Sequence, residues 1–374
     1  MLASIREISI LRRRYNAGHQ QQSHFPRANV SSNEFVADEA ASPAGQLLNL
    51  VSGYWISQAI YVAAELGIAD HLGRKGRDID DLALATDTHA PSLYRLMRAL
   101  ASVGVFNEVA PRHFALAPMS ILLRDDTPGN LRAFSRMQGD AWHWGCWGDA
   151  LHAIRTGQSA IAKRENAADC FDYLAKHPAS AQIFDAAMSG YSGHVAEAII
   201  DAYDFAHARS IIDIGGGTGI LLGSILAGNA RAHGILFDRP AVLDRAASVL
   251  EEIGVTGRCM RVAGDLFGAI PRDGDVYLMS AILHDWNDAD AARILKGVAV
   301  AMHAGARLLI IEHVLAPANQ PDHGKFIDLE MLLITGGRER TKEEYEALLD
   351  TAALRCERVT ATAMPVSILE ARRR

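Results

Sequence analysis

The sequence predicts an α/β chain, with a Rossmann-like, doubly wound sheet in its C-terminal part and an α-rich, winged-helix-like module before it. Three observations lead there. Residues 211–219, IIDIGGGTG, read as a buried strand running into a glycine turn, and the apolar run Ile220-Leu221-Leu222-Gly223-Ser224-Ile225-Leu226 continues as a helix. Beyond the turn, short β-type runs alternate with helical patterns to the end of the chain. Ahead of it, between 46 and 116, helical patterns are followed by a single hairpin pattern.

Taken in order, residues 1–45 offer little to bury. They carry Arg12-Arg13-Arg14, Gln20-Gln21-Gln22 and a polar, Pro-containing stretch, with no acid between 8 and 33. That composition fits a flexible or mis-started N-terminus better than an organellar transit peptide. From Gln46 to Leu66 the residues Leu47, Val51, Trp55, Ala59, Val62 and Leu66 recur at helical spacing, predicting one long amphipathic helix stopped by Gly67. The runs 79–84 and 91–100 predict two further helices, with Pro91 in a first turn and Gly104 closing the second. Residues 105–109 and 112–116 predict a hairpin around Ala110-Pro111.

A module of this kind often binds DNA, but its recognition helix carries only Arg95 and Arg98, and its wing only Arg112 and His113. Electrostatics supplies most non-specific DNA affinity. The whole chain, with 37 basic against 44 acidic residues and a net charge of −7, lacks the basic surface of a nucleic-acid protein. We therefore expect 46–125 to pack or dimerise. The rival from another class is a winged-helix regulator that senses a small molecule.

Residues 126–200 read as a helical connector. Trp142, Trp144 and Trp147 fall within six residues, and either line a flat pocket for an aromatic ligand or form a core at a helix junction. Met188 carries the same two readings.

The doubly wound part is expected from 201 to 374. A dinucleotide fingerprint would need glycine at 220 or 222, and those positions hold Ile220 and Leu222. Instead Gly215, Gly217 and Gly219 follow an acid, Asp213, which suits a ligand without pyrophosphate but with a cationic, amino-acid-like portion. That points to S-adenosylmethionine. The second strand ends in Asp238, nineteen residues past Gly219 (238 − 219), where a carboxylate accepts ribose hydroxyls. After the third strand (261–263), Asp265 with Leu266 or Phe267 could bond an adenine amino group and cover its ring. Strand four (275–279) leads to Ser280-Ala281-Ile282-Leu283-His284-Asp285-Trp286, and strand five (307–311) to Glu312. Helices are expected at 240–252, 287–302 and 342–354, and a closing hairpin at 358–361 and 366–370. His284 has the chemistry of a base near neutrality. Glu312 and Glu339 are candidates to orient it.

The ordered set IIDIGGGTG, LFDRPAV, GDLF, LHDWND, IIEHVL and GGRERT resembles the S-adenosylmethionine-dependent O-methyltransferases of the plant caffeate, animal hydroxyindole and bacterial polyketide type. The resemblance runs from about 46 to the C-terminus. It implies a class I methyltransferase domain, a winged-helix-like dimerisation domain, and a homodimer whose N-terminal helices help build the partner's pocket. It implies His284 as base bracketed by Glu312 and Glu339, and cofactor contacts from Ser192, Gly215, Gly217, Asp238, Asp265 and Leu266 or Phe267; Asp213, read from the glycine turn itself, and Ser280, at the end of strand four, are expected to join them. Trp144, Trp147, Met188 and Met331 are the expected substrate contacts. Relatives often carry Lys where this chain has Ser280, and some have lost methyl transfer for other chemistry. No metal is expected, and neither nucleic acid nor a membrane. Cys146, Cys170, Cys259 and Cys356 form no C-x-x-C and fit reduced thiols in a cytoplasm. No uninterrupted apolar run reads as a bilayer span.

Overall fold

The structure, a computed structural model, describes residues 42–374; the expected tail therefore lies outside the described residues except at its end. There, Ser42 caps a helix that begins at Pro43, its hydroxyl accepting the N–H of Gly45 at 3.2 Å. Two units divide the chain. The first ends at Ile56, and its described part is helical, presenting Leu47, Leu48, Leu50, Val51 and Trp55 to the outside. The single long helix expected from Gln46 is broken at Gly53, which separates Pro43–Ser52 from Tyr54–Glu65. From 43 to 64 no residue is charged. This stretch consequently meets the length and apolarity of a membrane span, with a mean hydropathy of 1.2. Gln46, Asn49 and Gln58 break the apolar run without adding charge.

The second unit, 57–374, begins with a helical module and a small sheet. Helices Ile79–Ala85 and Ala90–Ser102 pack on β2 (Phe106–Ala110) and β3 (His113–Leu116), with β1 (Arg77–Asp78) antiparallel to β3. Ile79, Leu82, Leu93, Met97, Phe106 and Phe114 form its core. Arg112 turns the hairpin at φ +64 and binds Asp80 at 2.6 Å; both Arg98 and Arg112 lie over the ring of Tyr94. These basic side chains are thus engaged within the module.

Six helices follow between Arg132 and Ala202, the last being Pro178–Ala202. The large sheet then contains β4 (Ser210–Ile214), β5 (His233–Asp238), β6 (Cys259–Ala263), β7 (Val276–Ser280), β8 (Arg307–Glu312), β11 (Leu354–Ala361) and β12 (Ser367–Arg373). Its order is β11-β12-β8-β7-β4-β5-β6; the inner pairs are parallel, and β12 joins β8 antiparallel. A short parallel pair, β9 (Val314–Leu315) and β10 (Arg340–Thr341), stands apart from it.

Side-chain alternation places a core on each face. Leu308 and Ile310 of β8 join the cluster under helices Asp288–Ala301 and Lys342–Asp350. Leu309 and Ile311 join the one under Ile220–Gly228 and Pro240–Ile253. Strand order reverses between β4 and β7, so the carboxyl ends of β4, β5 and β7 open on one crevice, where such sheets hold ligands. The helix expected over 342–354 stops at Asp350, because Ala353 takes φ +54 and starts β11 early.

Candidate active site

The glycine turn sits at the end of β4. Gly217 has φ +59, a left-handed conformation that favours glycine, and open space where a Cβ would point. Its N–H donates to Asp238 Oδ2 at 2.9 Å, while Asp238 Oδ1 accepts from Arg239 N at 2.7 Å. The turn and the end of β5 are thereby fastened together, and each carboxylate oxygen keeps a lone pair for a further donor.

Beneath the turn, Asp213 is buried with no hydrogen-bond partner for either oxygen. A Cβ on Gly216 would stand 2.5 Å from Asp213 Oδ2. Burial, with Asp238 adding to it, pushes the Asp213 carboxyl up to about 7. An orphaned acid below an open glycine face, with Asp238 beside it, is a donor set that fits a ligand bearing a positive charge and ribose hydroxyls. Asp265 Oδ1 accepts from Phe267 N at 2.7 Å. Leu266 packs against the core below, whereas Phe267 stands edge-on to Trp286 and under Arg293, facing outward. Ser280 ends β7, and Ser192 lies half-buried in the helix Pro178–Ala202.

His284 occupies a 3-10 turn, Leu283–Asp285, just beyond β7. Asn287 caps the helix that follows. Ala281 enters the turn at φ +53, which is strained for a residue with a side chain. The turn is held from several sides. Glu312 Oε1 accepts from Ile282 N at 3.0 Å and Leu283 N at 2.8 Å. Arg338 N donates to His284 O at 2.8 Å, and Gly337 passes so close that a Cβ would stand 1.9 Å from that oxygen.

Arg340, a residue the sequence reading missed, completes the clamp. Its guanidinium is fully buried and donates to Leu283 O at 2.9 Å, Trp286 O at 2.8 Å and Asp288 Oδ1 at 2.9 Å. It bridges the carbonyls on both sides of His284. The signal available in sequence was an arginine next to a candidate orienting acid, which carries no information about carbonyls 57 residues earlier.

Within that frame the imidazole Nδ1 bonds Glu339 Oε1 at 2.8 Å and stands 3.5 Å from Glu312 Oε2. Glu339 is itself positioned by its N–H on Asp328 Oδ1, at 2.8 Å. Both glutamates thus reach His284, Glu339 by hydrogen bond and Glu312 by charge. Burial works against the imidazolium, but Glu312 and then Glu339 and Asp285 outweigh it and lift His284 to about 10. Burial raises Glu312 to about 7, against the pull of His284. The three groups lie within 4.8 Å of one another, a spacing that could hold a metal ion. Nδ1 already bonds Glu339, however, and Glu312 Oε1 serves two backbone N–H groups.

Of the expected substrate contacts, Trp144 and Trp147 are 38% and 36% exposed, while Met331 is buried beside Trp142 and Cys146. Met188 is half-buried. Trp142 belongs to the core, whereas Trp144 and Trp147 stay partly exposed.

The sheet order and the glycine–Asp238 corner define a class I methyltransferase fold. The O-methyltransferase domain model matches residues 147–355, and the O-methyltransferase dimerisation domain model matches 48–126. The chain is 44% identical over 326 residues to the phenazine O-methyltransferase PhzM of Lysobacter antibioticus, covering 87% of this chain and 95% of that one. The LaPhzM crystal structure superposes with a TM-score of 0.84 at 43% identity, over 89% of this chain and 100% of that one. NcsB1, an O-methyltransferase from neocarzinostatin biosynthesis solved with S-adenosyl-L-homocysteine and 1,4-dihydroxy-2-naphthoic acid, superposes at 0.70 with 32% identity, over 85% and 96%. The chain belongs to this O-methyltransferase family and is an S-adenosylmethionine-dependent enzyme.

Proposed function

We propose that this enzyme methylates a ring hydroxyl of a small aromatic metabolite, with His284 as the general base. The observation that carries the reading is the His284 Nδ1 to Glu339 bond. It fixes the ring by one nitrogen and leaves Nε2 as the atom that takes the acceptor's proton. The cofactor supplies a methyl group already activated on a sulfonium. The protein's share is to align the acceptor oxygen and remove its proton.

Only the neutral ring accepts the proton, and Glu312 and Glu339 stabilise the imidazolium formed when it does. Gly215, Gly217, Asp213 and Asp238 would hold the cofactor's methionine and ribose portions, with Ser192 and Ser280 nearby on the chain's own pattern. Asp265 and Leu266 would meet the adenine; Phe267, turned toward Trp286, is the weaker candidate. Trp144, Trp147, Met188 and Met331 would shape the acceptor pocket.

A homodimer is part of this reading. It draws support from the dimerisation-domain match and from the exposed apolar residues Leu47, Leu48 and Val51. The deciding experiment is a screen of phenolic and polyketide-type acceptors with methyl-labelled cofactor. Label in an O-methyl product that disappears with His284→Ala supports the assignment; transfer at an undiminished rate defeats it.

A further inference from the structure

A second imidazole–carboxylate pair lies away from His284. His143, on the helix Ala141–Gly148, is 1% exposed, and its Nε2 faces Glu330 Oε1 in an ion-pair contact without hydrogen-bond alignment. Glu330 stands on the helix Gly324–Ile334, and its other oxygen accepts the indole N–H of Trp147 at 2.5 Å. Both oxygens are therefore engaged by one neighbouring helix. His143 Nδ1 has no hydrogen-bond partner, a costly state for a polar atom in the interior.

Two links tie this pair to the methyl-transfer site. Glu330 shares its helix with Asp328, which holds the backbone of Glu339, the residue bonded to His284. Cys170 is buried, and its thiol is driven well up by burial, then by Asp285, Asp169 and Glu330. One buried atom thus feels both the neighbour of His284 and the partner of His143.

Resting on the reading of the chain as a methylase of ring hydroxyls, we propose that His143 and Glu330 form an acceptor-recognition subsite for aromatic hydroxy acids. Glu330 faces Nε2 and fixes that edge of the ring, which leaves Nδ1 as the atom turned to the ligand. Nδ1–H donates to a carboxylate oxygen on the acceptor, and Trp147, fixed by the same glutamate, lies along the ring. A free glutamate here would select a cationic acceptor. With both its oxygens engaged, the group offered to the ligand is the imidazole N–H, and the preference is for an anion.

The test uses a matched pair, 1,4-dihydroxy-2-naphthoic acid and 1,4-dihydroxynaphthalene, which differ by one carboxylate. Binding is measured by calorimetry on enzyme saturated with S-adenosylhomocysteine, and transfer with labelled S-adenosylmethionine. The acid is expected to bind about tenfold or more tightly than the diol, as for a charge-assisted hydrogen bond. His143→Leu should abolish the preference, and His143→Asn, whose amide nitrogen falls near Nδ1, should restore part of it. An acid that binds no better than the diol overturns the proposal, as does a preference that survives His143→Leu. Should the leucine variant fail to fold, Glu330→Gln decides. It keeps an acceptor for Trp147 but removes the charge behind His143, and an unchanged preference there overturns the subsite. Carboxylate-dependent binding without label transfer would defeat the methylation reading and leave the subsite standing. Equal transfer to both acceptors would do the reverse.

Discussion

The described residues contain two buried histidine–glutamate pairs, and they are built differently. His284 stands on a strained turn between β7 and a helix, and the turn is tied to the backbone through Glu312, Arg338 and Arg340. His143 stands in mid-helix, and its carboxylate partner is held by another side chain, the indole of Trp147. Backbone anchoring fixes a side chain's position closely, whereas side-chain anchoring lets it follow a ligand. The first arrangement suits a group that must meet a reacting proton in one geometry. The second suits recognition, where partners vary.

The sharpest way to break this comparison is to remove His284. His284→Ala should lower single-turnover methyl transfer about 10²–10⁴-fold, the usual worth of a general base, with cofactor affinity by calorimetry nearly unchanged. A loss confined to binding would place His284 with His143 in recognition.

Next in size is the clamp. Arg340→Met removes the donors to Leu283 O and Trp286 O while leaving His284 and Glu339 in place. A misplacement of about 1 Å can cost on the order of 10²-fold, so kcat should drop by about that factor with little change in acceptor KM. Arg340→Lys, which can reach only one carbonyl at a time, should recover part of it. Thermal unfolding followed alongside separates this from lost folding. If kcat follows stability alone and lysine gives no recovery, Arg340 is structural only.

Asp238→Ala probes the other half of the site. Losing charge-assisted acceptors should weaken S-adenosylmethionine binding by roughly 1.5–3 kcal/mol, about 10- to 150-fold. Calorimetry on the folded variant giving wild-type affinity would remove Asp238 from the cofactor corner.

How much of this was legible in the sequence follows from distance along the chain. The glycine turn, Asp238 and the alternating strands are local patterns, and they fell within a few residues of where the runs placed them. His284 with its two glutamates came from an ordered set of motifs. The break at Gly53 was not legible, because helical spacing continues through it and nothing in the spacing marks the turn. Arg340 and the pair of Glu330 with Trp147 were not legible either. The carbonyls that Arg340 binds are 57 and 54 residues away, and Trp147 is 183 residues from Glu330; only the folded chain brings them together. The seventh-strand hairpin ran longer than its apolar pattern, because Arg372 and Arg373 continue the β12 ladder despite their charge.

The smallest effect sharpens the comparison most finely, because it reads the anchoring of His284 as a titration. Its folded value, about 10, lies above the ordinary 6.5, so this group's contribution to stability is full below 6.5 and is lost as pH rises through 10. The proton-accepting form is the neutral one, so base catalysis should climb with pH across the same window. Glu312 is the largest of the charges that raise it, and above about 7 that carboxyl is ionised. Glu312→Gln keeps an oxygen for Ile282 N and Leu283 N but removes the charge. The His284 titration, followed by NMR of the labelled ring, should therefore move to lower pH, and the rising limb of kcat/KM should move with it. Glu339→Gln should move it too, with a change in ring orientation because the direct hydrogen bond is altered. A titration that stays near 10 in Glu312→Gln, or rises, would mean that Glu312 holds only the turn and that the basicity of His284 comes from Glu339 alone.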